Sequence, residues 1–409
     1  MDQLCVLGLG YIGLPTAALA ASSGFKVTGV DIDPNVVETL SAGRAHFAEP
    51  ELDSAVKRVV SEGALTVRSC PCPSQIFLIA VPTPINEDKT ADLTAVMSAA
   101  QSIVPYIRPG TLVILESTVP PGTTEEVVLP ILARSGLCGG SDFYLAYCPE
   151  RVLPGRIVEE LVANDRVIGG LTPESGEKAA AFYRKFVEGA IHITDLKTAE
   201  MVKLAENAFR DVNIAFANEI ALIAAELGIN VWDIISLANK HPRVNILNPG
   251  PGVGGHCIAV DPWFLVEKMP EATSLIAAAR RLNDSMPEYV VARVECVVER
   301  GSKIACLGAA YKAGVGDTRE SPALRVIREL EQKGYEVHVV DPHVGSLDGF
   351  SLLPLDEALE IADCVVLLVD HAEFKSLDVT KLAERFNNGR LIDTRGVWNR
   401  HSRTQSIPR

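Results

Sequence analysis

The chain has 409 residues, of which 47% are hydrophobic and 22% charged, and its formal net charge is −14. That length implies about two to three domains. The acidity, with no Lys/Arg run, excludes nucleic acid and anionic membrane as natural partners, so an anionic substrate must be met by local cations. No apolar stretch reaches the ~18 residues of a membrane span, and no leader-like segment precedes the first strand, so a cytoplasmic protein is expected. The cysteine pair in Cys70-Pro71-Cys72 has no second pair and no histidine at zinc spacing, so no metal site is expected.

In chain order, Leu4-Cys5-Val6-Leu7 is a short apolar strand running into Gly8-Leu9-Gly10-Tyr11-Ile12-Gly13. An alanine-rich helix over 14–23 and a strand over 26–30 ending at Asp31 follow. Strand, glycine turn, helix, strand and acid together make a dinucleotide fingerprint. Gly8 would make the turn, Gly10 admit a pyrophosphate and Gly13 let helix and strand pack, with phosphates at the helix N-terminus. Asp31 would take ribose hydroxyls and repel a 2′-phosphate, which favours NAD over NADP. Buried strands over 76–81 and 112–115 end in Pro82-Thr83-Pro84 and Glu116-Ser117-Thr118-Val119-Pro120-Pro121-Gly122. Loops at that edge of a parallel sheet face ligands.

Residues 195–227 carry helical periodicity without a proline, as in a helix that joins domains or seams a dimer. Lys203, Asn207, Arg210 and Ile214 share one face by spacing; that face is either a solvated side or part of a site. Next, Pro249-Gly250-Pro251-Gly252-Val253-Gly254-Gly255-His256-Cys257 places one cysteine among glycines, four residues before Asp261. Such a cysteine is either a small buried hydrophobe or a nucleophile. A second βαβ pattern begins at Lys303, with a helix over 321–333 (Ser321 as N-cap, Pro322 first), a strand over 336–340 closing on Asp341, and strands over 364–369 and 391–393. Its turn, Gly308-Ala309-Ala310-Tyr311-Lys312, lacks the three-glycine signature, so a different nucleotide is expected there. The predicted fold is α/β: two Rossmann-like doubly wound parallel-sheet domains joined by a central helical domain with a long helix. The expected bounds are 1–194, 195–297 and 298–409.

Six motifs, in order, resemble the UDP-glucose/GDP-mannose dehydrogenase family over nearly the whole chain. They are Gly8-x-Gly10-Tyr11-Ile12-Gly13-Leu14-Pro15, Ser117-Thr118-Val119-Pro120, Cys148-Pro149-Glu150-Arg151, Lys203-x-x-x-Asn207-Ala208-Phe209, Gly254-Gly255-His256-Cys257 and Gly316-Asp317-Thr318-Arg319-Glu320-Ser321. The resemblance implies oxidation of the C6 hydroxymethyl of a nucleotide sugar to a carboxylate, with two NAD⁺ reduced, through a thiohemiacetal and a thioester at Cys257. His256 and Val260, where UDP-glucose enzymes tend to have Ser and Lys, and the run Ile258-Ala259-Val260-Asp261-Pro262-Trp263 resemble the N-acetylhexosamine branch. UDP-N-acetyl-D-mannosamine is then the expected substrate and UDP-N-acetylglucosamine the alternative.

By the same resemblance, Lys203 and Asn207 stabilise the C6 oxyanion, Thr118 and Asp261 hold a water, and Glu150 is the general base. Thr83, Thr118, Tyr11, Ile12 and Arg319 join the glycines and Asp31 at the cofactor. Glu150, Arg151, Val152, Lys203, Asn207, Arg210, His256, Tyr311, Lys312 and Arg395 join the sugar nucleotide, and His256 or Arg210 would replace the cation lost at Val260. Arg243 would reach the neighbouring active site of a homodimer. The rivals are a two-electron hydroxyacid-type dehydrogenase and a non-catalytic NAD-binding sensor, and NADH per sugar separates them.

Overall fold

The computed structural model describes residues 2–47, 49–153, 155–387 and 389–398, so the outermost expected bounds, 1 and 409, lie outside the described residues. The chain divides into two compact units, one of Met1–Glu206 with Trp263–Met269, the other of Asn207–Pro262 with Pro270–Arg409.

In the first unit, β1 (Gln3–Leu7), β2 (Lys26–Val30), β3 (Leu65–Arg68), β4 (Ile76–Ile79), β5 (Leu112–Leu115), β6 (Tyr144–Tyr147), β7 (Arg166–Gly170) and β8 (Ile191–Asp195) form one sheet. Their order is β3-β2-β1-β4-β5-β6-β7-β8. The chain therefore turns to opposite sides of β1, which opens the crevice between β1 and β4 where such sheets bind ligands. Alternate residues point to opposite faces and build separate cores. Leu4, Val6, Leu78, Leu112 and Ile114 pack with the Gly13–Ser22 helix on one face, and Cys5, Leu7, Phe77, Ile79, Val113 and Leu115 pack with the Thr94–Ile103 helix on the other. Burial on both faces explains the near-continuous apolar runs of these strands. The apolar runs do not reveal that β7 meets β6 antiparallel, while β7 and β8 run parallel.

The second unit holds β9 (Lys303–Leu307), β10 (Glu336–Val340), β11 (Cys364–Leu367) and β12 (Leu391–Asp393), ordered β10-β9-β11-β12 and all parallel. Pro322 opens the helix Pro322–Gln332 as expected, but Ser321 makes no side-chain cap bond, and its buried hydroxyl has no partner. The long helix runs Leu196–Leu227 and packs in the second unit through a buried polar set. Arg280 donates to Asp211 at 2.5 Å, and Asn283 donates to the Asp211 carboxylate at 2.8 Å and carbonyl. Asn218 donates to Asn283 and accepts from the Gly250 N–H at 2.9 Å. This chain of bonds ties the glycine–proline loop to the helix core.

The fingerprint turn divides its glycines by cause. Gly8 has φ +87, and a Cβ there would sit 2.6 Å from the Ala80 carbonyl oxygen. A Cβ at Gly13 would overlap the Gly8 carbonyl oxygen, whereas one at Gly10 would meet nothing within 4 Å. Gly13→Ala is therefore expected to lower stability by about 2 kcal/mol or more, and Gly10→Ala by less than about 1 kcal/mol. Urea midpoints of the two variants check this, and equal losses would contradict it.

Candidate active site

The N-terminal unit collects its expected site residues at the carboxyl edge of the sheet. The Asp31 carboxylate accepts the Leu9 N–H at 2.9 Å and the Asp33 N–H at 3.0 Å. Each oxygen keeps a free lone pair for ribose hydroxyls. With the open space at Gly10 and the N-terminus of the Gly13–Ser22 helix, this turn fits a dinucleotide. Half-buried Tyr11 stacks on Phe47 at 4.3 Å between centroids, and Ile12 is also half-buried. The Thr83 hydroxyl donates to the Thr118 carbonyl at 2.6 Å, and Ser117 donates to the Val81 carbonyl at 2.7 Å, joining the loops after β4 and β5. Buried Glu200 pins the far end of the latter loop by accepting from Gly122 N–H, Thr124 N–H and the Thr124 hydroxyl.

After β6, Glu150 is buried while Arg151 and Val152 are half-buried. The Arg151 guanidinium is held by both oxygens of Glu206, at 2.6 and 3.1 Å, so this expected substrate cation is tied to an acid of its own unit. Lys203 is half-buried on the long helix.

In the C-terminal unit, Cys257 is exposed. Its carbonyl accepts the N–H groups of Val260 at 3.0 Å and Asp261 at 2.8 Å, so the cysteine turn leads into the Asp261–Lys268 helix. Buried Asp261 accepts from the Asn207 side chain at 2.5 Å. The structure thus brings Asn207 to the Cys257–Asp261 turn, from which it lies far apart in sequence. Gly254 and Gly255 are required by contact. A Cβ at Gly254 would sit 2.5 Å from the Glu320 carbonyl oxygen, and one at Gly255, where φ is +82, would press on the Tyr311 ring at 3.0 Å.

Pro251, Gly252, Tyr311, Lys312, Pro322, Asp370 and Arg395 are among the residues that line a cleft in this unit. Arg395 donates to Asp370 at 3.2 Å. Burial opposes ionisation of Asp370, but Arg395 and Lys375 overcome it and lower its pKa. Arg210 and Arg243 are exposed and do not line the cleft. Exposed His256 acts electrostatically on Asp317, whose carboxylate pairs with Arg319 at 2.6 Å.

The two Rossmann turns differ in what their acids have left to give. Asp341, at the end of β10, accepts from the N–H groups of Ala309, Ala310, His343 and Val344 and from His371 at 3.2 Å. Its burial opposes ionisation, but these donors, His371 first, hold its carboxyl well below the usual range. Five donors saturate a carboxylate. Asp341 therefore has nothing left for a ribose, and the second turn is unlike the first for a physical reason beyond its missing glycines.

Behind Glu150 lies a buried cluster that sequence reasoning missed. Arg166, 2% exposed, donates to Glu150 at 2.7 Å and stands over the Tyr183 ring. Tyr183 donates to Glu116 at 2.6 Å. Burial first, and then the charge of Glu150, push the Glu116 carboxyl up to about 7. The available signal was a carboxylate set directly after the wholly apolar strand Leu112–Leu115. Folded Glu116 keeps its proton up to about pH 7, whereas the unfolded chain loses it near 4.5. Unfolding therefore releases a proton between these values, and stability falls as pH rises through the window. Glu116→Gln is expected to be more stable than the parent at pH 8, by on the order of 2 kcal/mol, and to lose that advantage by pH 5. Thermal unfolding across pH checks it, and a constant difference would contradict it.

Comparison with known proteins adds a family. Three domain models match in order: the NAD binding domain of the UDP-glucose/GDP-mannose dehydrogenase family over residues 2–187, its central domain over 197–285 and its UDP binding domain over 305–400. An NDP-N-acetyl-D-galactosaminuronic acid dehydrogenase of Ralstonia solanacearum is 50% identical, covering 97% of this chain and 96% of that one. A UDP-N-acetyl-D-mannosamine dehydrogenase of Methanocaldococcus jannaschii is 49% identical over 97% and 93%. The solved structure of a UDP-D-ManNAc dehydrogenase from Pyrococcus horikoshii superposes with a TM-score of 0.90 at 44% identity, covering 97% of this chain and 96% of that one. With its paired Rossmann sheets and full-length match, the chain belongs to the UDP-glucose/GDP-mannose dehydrogenase family, as an NAD-dependent nucleotide-sugar dehydrogenase.

Proposed function

We propose that the chain oxidises the C6 hydroxymethyl of UDP-N-acetyl-D-mannosamine to the carboxylate in two steps, through a thioester on Cys257. The observation that carries this reading is the exposed Cys257 on a turn that hydrogen-bonds Asp261, which in turn holds Asn207. When bound at the Gly8–Gly13 turn beside Asp31, NAD⁺ supplies the hydride acceptor for each of the two oxidations.

In the first oxidation the C6 hydroxyl passes its proton to the water held by Thr118 and Asp261 as hydride leaves C6, and Lys203 and Asn207 donate to the developing oxyanion. The Cys257 thiolate then adds to the aldehyde, forming the C–S bond of a thiohemiacetal. The oxyanion formed by that addition then loses the second hydride, giving the thioester. Thr118 and Asp261 hold the water that attacks it, and Glu150 takes the water's proton. The C–S bond breaks, returning thiolate, and the product acid gives its proton to solvent and leaves as carboxylate. Removing one oxyanion donor typically costs ~10²–10³ in rate. Lys312, Tyr311 and Arg395 serve the nucleotide, and Arg151 and Val152 shape the loop beside Glu150. Arg319 and Thr83 serve the cofactor, and His256 or Arg210 takes over the cationic role left open at Val260.

The relative of M. jannaschii supports the mannosamine substrate. The R. solanacearum relative favours a second reading, the galacto-configured N-acetylhexosamine. Turnover of UDP-N-acetylmannosamine, UDP-N-acetylgalactosamine, UDP-N-acetylglucosamine and UDP-glucose, compared as kcat/KM, decides between them. The purified enzyme is expected to yield two NADH per sugar. Cys257→Ser should fall by at least about a hundredfold in uronate formation, because its oxygen ester is a far poorer acyl donor. One NADH per sugar, or wild-type turnover by Cys257→Ser, removes the covalent mechanism.

We further infer a cytoplasmic homodimer whose active sites are shared. Phe209, Phe216, Ile223 and Leu227 are exposed along the long helix at spacings of seven, seven and four, an apolar stripe suited to a second copy. Arg243 is exposed and would serve the neighbouring site. Co-expressed Arg243→Ala and Cys257→Ser chains, each inactive alone, are expected to regain activity, since one site then combines intact Cys257 with a neighbour's Arg243. Verified heterodimers without recovery would show that Arg243 serves its own chain.

A further inference from the structure

Glu116 and Glu150 follow neighbouring strands. Glu116 comes directly after β5, and Glu150 stands three residues beyond β6, which pairs with β5 from Leu112 to Leu115. Four segments around Glu116 contribute a polar group. Thr16 comes from the Gly13–Ser22 helix, Cys148 and Glu150 from the segment after β6, Arg166 from β7, and Tyr183 from the helix Pro173–Tyr183. Burial pushes the Cys148 thiol up to about 12 and the Tyr183 phenol well above its usual range, so both stay neutral. That leaves two carboxyls and one guanidinium in a pocket that is almost wholly buried. Glu116 is 2% exposed, Glu150 6% and Arg166 2%.

Arg166 is already committed. Its Nη1 donates to Glu150 and its Nη2 to the Leu161 carbonyl, and the other Glu150 oxygen accepts the Arg151 N–H. Three atoms are left over. Arg166 Nε has no acceptor, and Glu116 Oε2 makes no hydrogen bond of good geometry, nor does the Thr16 hydroxyl. A buried carboxylate oxygen without a donor is costly, whereas a protonated one is tolerable. The cluster thus has a rest state, with Glu116 neutral and Arg166 given to Glu150. It also has an alternative, with Glu116 ionised and drawing electrostatically on the Arg166 charge.

We propose that Glu116 is a positioning residue for Glu150, whose buried proton decides how much of the Arg166 charge Glu150 receives. With Glu116 neutral, the Arg166 charge goes to Glu150 alone and holds its carboxylate in place. When Glu116 ionises, its charge competes for Arg166, and Glu150 is freed to act on the water that cleaves the thioester. The inference rests on the reading of Glu150 as that base. Its switching range follows from the Glu116 carboxyl, which burial and Glu150 bring to about 7.

The test is quenched-flow decay of the covalent sugar–enzyme adduct between pH 6 and 8.5, in the full-length enzyme with NAD⁺. The wild-type decay rate is expected to rise about threefold to tenfold through pH 7, a fraction of what a general base contributes. Glu116→Gln should abolish that rise while the adduct still forms, and Glu116→Asp should keep it with a moved midpoint. A wild-type rise retained in Glu116→Gln of native circular dichroism overturns the inference. Should that variant fail to fold, an unmoved midpoint in Glu116→Asp overturns it equally. Glu150→Gln separates the two claims. Adduct decay at the wild-type rate in Glu150→Gln removes the base reading and the inference together. A blocked Glu150→Gln beside an unchanged Glu116→Gln removes the inference alone.

Discussion

Parallel strands cannot be joined by tight turns; each must be reached by a crossover that passes over a face of the sheet. That constraint places every carboxyl end of the first six strands on one edge, where the expected site residues of this unit gather. Gly8 to Gly13 follows β1, Asp31 follows β2, Thr83 lies beyond β4, Thr118 beyond β5 and Glu150 beyond β6. Both sheet faces are occupied by packed helices, so the loops at that edge are where backbone and polar side chains can meet a ligand without breaking a core. The second unit repeats the arrangement on four strands, with Tyr311, Lys312, Asp370 and Arg395 gathered beyond β9, β11 and β12.

Burying charge is expensive unless each group is matched, and two buried ion pairs of this chain show it. Arg166 with Glu150, and Arg280 with Asp211, are almost wholly removed from water and paired at 2.7 and 2.5 Å. Neither pair is strong evidence of stability by itself, since desolvation consumes most of the Coulombic gain. What they do supply is position. Arg166 orients the carboxylate of Glu150, and the Asp211–Asn283–Asn218 bonds carry the helix framework through to Gly250 and the loop that ends at Cys257. The cost surfaces at Glu116, the member of the first cluster left short of donors, which keeps a proton into the neutral range.

The two Rossmann turns show how one scaffold is specialised twice. Gly8 and Gly308 both adopt positive φ and both donate to the carbonyl that ends the neighbouring strand, at 2.8 Å each. Asp31 retains acceptor capacity for a ribose, whereas Asp341 is consumed by four backbone N–H groups and a wholly buried His371. The division of labour between an NAD binding domain and a UDP binding domain thus has a local cause in how many donors each carboxylate already satisfies.

Sequence alone determined the fold class, because glycine turns, doubly buried strands and a proline-free amphipathic helix each leave a periodic or positional mark. It also carried the need for glycine at positions 8 and 13, which follows from steric rules acting over a few residues. The antiparallel placement of β7 left no such mark, since a buried strand reads the same in either direction. Only the tertiary structure decided that Asn207 bonds Asp261, that Arg151 is held by Glu206, and that Ser321 caps nothing despite its position. The same holds for Glu116, Arg166 and Tyr183, which come from three separate elements and mean little until they share a pocket. Their chemistry comes from exclusion of water and from which partner sits at hydrogen-bond distance, and both are properties of packing between segments remote in the chain.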